Sequence, residues 1–186
     1  MEQKKNKEEY AIALDFLPNG YAFDTRSSYK KKPIIQAIGK DHFILLELVP
    51  KRDVFIQPFE ELYIGEGKRE KVHHILGKLP VERLTQTANQ ELEYVITELV
   101  EKNQKRFIDF FNNAKPLSTR MHQLELLPGL GKKHMWQIIE EREKEPFKSF
   151  DDIKNRLKLL PDPKKIIAKR LLNEILGKEK YKLFID

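Results

Sequence analysis

Two six-residue segments, thirty-three positions apart, constrain this chain more than any other feature. Leu124-Glu125-Leu126-Leu127-Pro128-Gly129 reads LELLPG, and Leu157-Lys158-Leu159-Leu160-Pro161-Asp162 reads LKLLPD. Each is followed by a lysine pair, Lys132-Lys133 and then Lys164-Lys165, and by a run with one apolar helical face. Pro-Gly and Pro-Asp steps break helices and open new ones. The pattern is helix, tight turn, helix, connector, and the same again, and repeats of this size suggest stacked supersecondary units. Ser118 is expected to cap the first helix, with Leu117, Met121, Leu124 and Leu127 on one side. The second helix covers 132–145 and stops at Pro146. Ser149, with Asp152 three residues on, opens the third. Asp162 and Pro163 suit the cap and first position of the fourth, and Gly177 suits its end.

The stretch LLPGLGKKHMWQIIEER, followed by PFKSFDDIKNRL, resembles the helix-hairpin-helix module over about 60 residues. Its chemistry has a physical basis. Glycines 129 and 131 permit backbone angles closed to other residues and keep a Cβ out of a ligand's way. The amides of a helix's first turn have no intrahelical partners, and the helix dipole favours an anion beside them. A phosphate is therefore expected at Pro128, Gly129, Leu130, Gly131, Lys132 and Lys133. Such contacts grip the sugar-phosphate backbone and carry little base information. The second copy has Asp162 where the repeat places Gly129. A carboxylate there repels phosphate, so the second unit is expected to give packing support, with diffuse contacts from Lys164, Lys165, Lys169 and Arg170. The resemblance implies no cofactor beyond a monovalent cation on the carbonyls of the 129–131 hairpin.

Residues 10–76 read as short strands. Runs at 10–17, 33–38, 42–49, 54–57, 61–64 and 71–76 are separated by turn signals such as Pro18-Asn19-Gly20 and Gly39-Lys40-Asp41. Four to six strands in so short a span suggest a small barrel. The pattern alone does not separate an oligonucleotide-binding (OB-type) barrel from an SH3-like one. Between the first two strands lies a basic loop with one aromatic ring: Arg26, Tyr29, Lys30, Lys31 and Lys32. Its cations can track phosphates and Tyr29 can stack on a base. Tyr21, Phe23, Phe43 and Phe55 are expected in the barrel core. A single helix is expected from Thr85 or Thr87 to about Asn113.

Charge narrows the partners. The chain holds 35 Lys and Arg against 29 Asp and Glu, a net +6, of which +5 lies in residues 116–186. That surplus favours a polyanionic partner. The absence of cysteine excludes disulfides, thiolate metal sites and thiol nucleophiles. No apolar run is long enough to span a bilayer, and no secretory leader is read at the start. The five histidines show no metal-ligand spacing. Lys132 with Asp151 and Asp152 invites comparison with DNA glycosylases, but no pocket for a flipped base is evident.

Beyond the module, nearly everything after residue 10 resembles an archaeal family of uncharacterised proteins. The matching stretches include YIGEGKREKV (63–72), the run 110–136, PFKSFDDI (146–153) and KYKLF (180–184). That family is described as nucleic-acid-binding, with an OB-like barrel joined to a tandem helix-hairpin-helix domain. The resemblance implies an α+β architecture. A charged disordered tail (1–9) leads into an OB-like or S1-like β-barrel (10–84), a connecting helix (85–115) and an all-α tandem helix-hairpin-helix domain (116–186). The expected function is non-enzymatic, sequence-nonspecific nucleic-acid binding, with double-stranded DNA first and RNA second. The family's gene neighbours extend the expected partners to the ribosome or transcription machinery, which implies a cytoplasmic, nucleoid- or ribosome-associated protein without a membrane partner. The alternative is a protein-interaction adaptor. Steep loss of affinity with salt separates the binding module from the adaptor.

Overall fold

Runs rich in Ile, Leu and Ala form the centre of a curled, five-stranded antiparallel sheet. The computed structural model describes residues 7–27 and 30–185. Its first strands are β1 Tyr10–Leu17, β2 Ile34–Gly39, β3 Leu45–Pro50, β4 Glu61–Tyr63 and β5 Val72–Lys78. Their spatial order is β4-β1-β2-β3-β5, with every neighbouring pair antiparallel. Register shifts lie between Ala13 and Asp15 in β1 and along the β3–β5 ladder at Glu47/Leu48 and Val49/Pro50. Bulges of this kind bend a strand and raise its twist, which curls the sheet. β4 and β5 remain its two edges, so the sheet is a half-barrel rather than a closed one.

The core of this half contains Ala11, Ala13, Ile35, Ala37, Leu46 and Leu48, closed over by Ile56, Leu62, Ile64 and Val72. β2 and β3 are buried at all six of their positions, which removes the alternation that would mark a half-exposed strand. The other face holds the start of a helix. Gln36 donates to the Arg83 carbonyl at 2.7 Å and accepts from Thr85 N at 2.9 Å, while Thr85 Oγ1 donates to Asp15 at 2.6 Å. Thr85 Oγ1 also accepts from Ala88 N at 3.0 Å and so caps the helix, as its side chain suggests.

Two expectations for this half are corrected here. Residues 54–57 form no strand. Ile56 is buried, but Asp53 and Phe59 take left-handed φ of 58° and 66°, which turns the chain out of a ladder on both sides. The tail expected over 1–9 is partly built in, although residues 1–6 lie outside the described residues. The buried Glu8 accepts backbone hydrogen bonds from Asp41, His42 and Ile44. A Cβ on Gly39 would meet the Glu8 carboxyl at 2.0 Å, so this close approach requires glycine at the end of β2. His73 and His74, neighbours that a regular strand sends to opposite faces, do not diverge. His73 falls in the β3–β5 irregularity, and the two Nδ1 atoms lie 2.7 Å apart.

The chain divides into two compact units, 1–95 with 185–186, and 96–184. The boundary falls inside helix α1, Gln86–Lys102, so 85–115 is not a separate connector. A second helix, α2, covers Gln104–Asn113. The break between them is Asn103, whose Nδ2 and backbone N both donate to the Leu99 carbonyl at 3.0 and 2.9 Å. Asn competes with the backbone in this way and interrupts a helix that hydrophobic spacing alone would continue.

The second unit goes on with strands β6 Pro116–Ser118 and β7 Met121–His122, a single 3-10 turn at Gln123–Leu126, and helices α3 Lys132–Lys144, α4 Phe150–Arg156 and α5 Pro163–Ile175. The helix expected from Ser118 is therefore absent. Ser118 Oγ accepts from Arg120 N at 3.3 Å, which closes the β6–β7 turn instead of capping a helix. The ends of the other helices follow their signals. Glu145 before Pro146 closes α3, Ser149 caps α4 through Asp152 N, and Gly177, at φ 70°, follows α5. Among the described residues, no helix is long and apolar enough to cross a membrane.

Candidate nucleic-acid interface

Leu127 and Leu130 are buried, and Leu130 N donates to the Leu127 carbonyl at 3.1 Å. Between them Gly129 takes φ 79°, a left-handed angle that favours glycine. Gly131 follows as the N-cap of α3, in extended conformation. The second turn repeats the leucine spacing and the hydrogen bond but not the left-handed angle, since no residue from 157 to 162 takes a positive φ. Leu157 and Leu160 are buried, Leu160 N donates to the Leu157 carbonyl at 2.9 Å, and Asp162 is the N-cap of α5. The two turns are neighbours, since a Cβ on Gly129 would lie 3.9 Å from Pro161 Cγ.

This geometry shifts the register of the repeat. The letters pair Leu127 with Leu160 and Gly129 with Asp162. The buried leucines and turn hydrogen bonds instead pair Leu127 with Leu157 and Leu130 with Leu160, and the caps pair Gly131 with Asp162. The carboxylate thus stands at the cap position, and Leu159, in register with Gly129, takes no left-handed angle.

The two helix starts differ in what fills them. Asp162 Oδ1 accepts from Lys164 N at 3.1 Å and Lys165 N at 3.4 Å, so α5 carries its own anion. Those bonds, with Lys154 at 3.4 Å, outweigh burial and hold the Asp162 carboxyl below its ordinary range. Gly131 offers α3 no side-chain cap. Its extended backbone suits any residue, and a Cβ there would meet nothing within 4 Å. Nothing inside the fold demands glycine at 131, and the first-turn amides of Lys132, Lys133 and His134 have no hydrogen-bond acceptor among the described residues.

The basic side chains sort by partner. Lys132 and Lys133 are exposed at the first two positions of α3, with no carboxylate in ion-pair range among the described residues. Lys165 and Lys169 are also exposed and without an ion pair there, whereas Lys164 pairs with Glu101 at 2.8 Å. Arg170 is not a surface cation. It is 3 % exposed and pairs with Glu174 at 2.8 Å and Glu179 at 2.7 Å, which corrects its expected contact with phosphate. The chain's single tryptophan, Trp136, is exposed on α3 one turn beyond Lys132.

The 3-10 turn before the hairpin is fixed by His122. Its Nδ1 accepts from Leu124 N at 3.1 Å, and Glu125 accepts from His122 N at 2.9 Å. Burial and the nearby Arg142 push the His122 pKa below its ordinary value of 6.5. Unfolding therefore takes up a proton at mildly acidic pH, so this residue's contribution to stability is full at neutral pH and falls as pH drops below 6.5. In His122→Asn, whose side-chain oxygen can take the same hydrogen bond, the decline in Tm from pH 7 to pH 5 should flatten in thermal melts.

In the first unit, the basic loop is less free than its letters suggest. Arg26 forks Asp24, with 2.6 Å from Nη2 to Oδ2, and these bonds hold the Asp24 carboxyl at about 2. Lys30 and Lys32 are exposed and Lys31 is half-buried, while Tyr29 lies outside the described residues. Of the four aromatics expected in the core, only Phe43 is buried. Phe23 is 63 % and Phe55 68 % exposed, and Tyr21 is half-buried. The sheet interior is filled by aliphatic side chains from the strands, and the loop that carries Tyr21 and Phe23 leaves the sheet.

Over the described residues the fold is that of an α+β protein with a curled antiparallel half-barrel and five helices, and its candidate site is the glycine turn that opens α3. The chain belongs to the family described as "Protein of unknown function (DUF655)", whose model matches residues 7–186. It is 45% identical over 188 residues to "Uncharacterized protein MJ0038" of Methanocaldococcus jannaschii, which covers 98% of this chain and 83% of that protein. It is also similar to the crystal structure of Af1531 from Archaeoglobus fulgidus, a DUF655 protein. That similarity has a TM-score of 0.89 at 44% identity and covers 96% of this chain and all of the other.

Proposed function

We propose that this chain is a non-enzymatic nucleic-acid-binding protein that holds the sugar-phosphate backbone at 128–133. In this reading the curled sheet is an OB-like barrel and the second unit a tandem helix-hairpin-helix domain whose first arm is shortened to a 3-10 turn. One observation carries the proposal. Two adjacent turns that share a pair of buried leucines and one backbone hydrogen bond open helices α3 and α5, and the anion position of α5 is filled by Asp162 while that of α3 has no side-chain cap and is flanked by Lys132 and Lys133. A phosphate oxygen at the bare position completes the pattern. Lys165 and Lys169 add screened attraction. A monovalent cation would rest on the carbonyls of the 129–131 hairpin.

The tandem helix-hairpin-helix resemblance implies a protein that straddles a duplex, here with one turn on phosphate and diffuse contacts from Lys165 and Lys169, so double-stranded DNA is the leading ligand and the cytoplasmic nucleoid the leading place. Titrations of duplex DNA, single-stranded DNA and structured RNA across a salt series test this. Log affinity for duplex should fall with log salt at about −0.9 per phosphate neutralised. A flat salt response, or no binding at low salt, supports an adaptor instead. A tenfold preference for structured RNA moves the ligand to RNA.

A further inference from the structure

The half-barrel carries an aromatic platform that the fold does not use. The rings of Tyr21 and Phe23 stack at 4.7 Å between centroids and 16° between planes. Tyr21 is held in place: its hydroxyl donates to Glu47 and accepts from Gln36 Nε2 at 3.1 Å. Burial and Glu47 push its phenol up to about 12, so it remains a donor through the physiological range. Glu47 is 5 % exposed and also pairs with Arg83 at 3.7 Å. Phe23 lies on this fixed ring and remains 63 % exposed. The half-exposed Arg83 guanidinium stands 5.9 Å from the Phe23 centroid.

These groups line a cleft of about 480 Å³, with Leu76, His74 and Lys32 on its walls. That volume lies in the range of about 300–1,000 Å³ usual for small-ligand sites. Leu76 is itself 53 % exposed, so the cleft offers apolar surface on two sides. Its two carboxylates are engaged, Asp24 by Arg26 and Glu47 by Tyr21 and Arg83. Lys32 has no ion-pair partner among the described residues. The ligand that matches is flat, aromatic and attached to negative charge.

We propose that the cleft binds an unstacked base of a single-stranded nucleic acid, with the base on Phe23 under Arg83 and its flanking phosphate beside Lys32. A modest outward swing of the Arg83 side chain makes room for a sandwiched base. Aromatic rings stack on any base, so the site reads single-strandedness and not sequence. The cleft belongs to the first unit and the turn at 128–133 to the second, and neither reading depends on the other.

The test is a single-stranded hexanucleotide carrying fluorescent aminopurine, titrated with the full chain at low salt. Stacking on Phe23 should quench the fluorophore as binding saturates. Phe23→Ala should weaken binding roughly tenfold, the scale set by one stacked base, and remove the quench. Phe23→Tyr should restore both. Because Phe23 is exposed, its truncation should leave the melting curve unaltered, and Phe23→Tyr guards the result if it does not. Wild-type protein that binds without quenching, or fails to bind the hexanucleotide, overturns the proposal. So does Phe23→Ala that quenches like wild type.

Discussion

Gly131→Asp is expected to weaken duplex binding by about a hundredfold while leaving thermal stability unchanged or slightly higher. The substitution gives α3 the cap that α5 already has. Gly131 is extended, and an added Cβ meets nothing within 4 Å, so Asp fits without strain. Asp is a slightly better N-cap than Gly, by a few tenths of a kcal/mol. Its carboxylate would accept from the first-turn amides that are now open, as Asp162 does from Lys164 and Lys165. A phosphate arriving there meets occupied donors and a like charge, a juxtaposition that costs several kcal/mol. Duplex titration and a thermal melt of the same variant check both halves. A general loss of structure would move the two together, whereas loss of the anion position moves only the first.

The largest effect on stability is expected for Arg170→Ala, about 3–5 kcal/mol. The Arg170 guanidinium donates to Glu174, pairs with Glu179, and donates to the carbonyls of Leu126 at 2.9 Å and Tyr181. Glu174, 1 % exposed, also accepts from Leu183 N at 2.8 Å and Phe184 N at 3.0 Å. One buried ion pair thus ties α5 to the turn before the hairpin and to the closing segment, where Phe184 packs edge-on to Phe107 and Phe110. Truncating Arg170 leaves the Glu174 charge buried without the guanidinium that neutralises it, which is the costly way to break such a pair. Lys169→Ala, one residue away and exposed, should stay within about 0.5 kcal/mol of wild type. Urea unfolding followed by circular dichroism measures both. Equal small effects would remove Arg170 from the framework of this unit.

These two residues show what the sequence exposes and what it hides. Adjacent cations on a helix point about 100° apart, so Lys169 and Arg170 cannot share a role. The apolar face of α5 includes Ile166, Ile167, Leu171 and Ile175, and both Arg170 and Glu174 fall on it. A cation and an anion four apart on an apolar stripe are a legible sign of a buried pair, hidden here by reading the basic residues as a group. The repeat misleads for a related reason. Its letters align the Leu-Leu-Pro triplets, but each turn is fixed by two leucines three apart and by a cap. Counted from those, the second turn is one residue longer.

Elsewhere, strong local chemistry is read correctly. Pro146, Ser149, Asp162 and Gly177 mark helix ends because each imposes a backbone angle or supplies an acceptor. Strands β2 and β3 are visible as apolar runs between turns. The 3-10 turn at Gln123–Leu126 is not visible, because Met121, Leu124 and Leu127 have helical spacing whether or not a helix forms. Nor is the platform at Tyr21 and Phe23. Its position depends on Gln36 and Glu47 from two other strands, contacts that no local pattern encodes.

The central claim is that the bare start of α3 holds a phosphate and the self-capped start of α5 does not. Backbone amide resonances of isotopically labelled protein, followed during titration with a short duplex, test this at the atoms concerned. The account predicts large, saturable shifts at Gly131, Lys132 and Lys133, lost at high salt, with little change at Lys164 and Lys165. Shifts centred on Lys164 and Lys165, or none at either helix start despite binding, would contradict it.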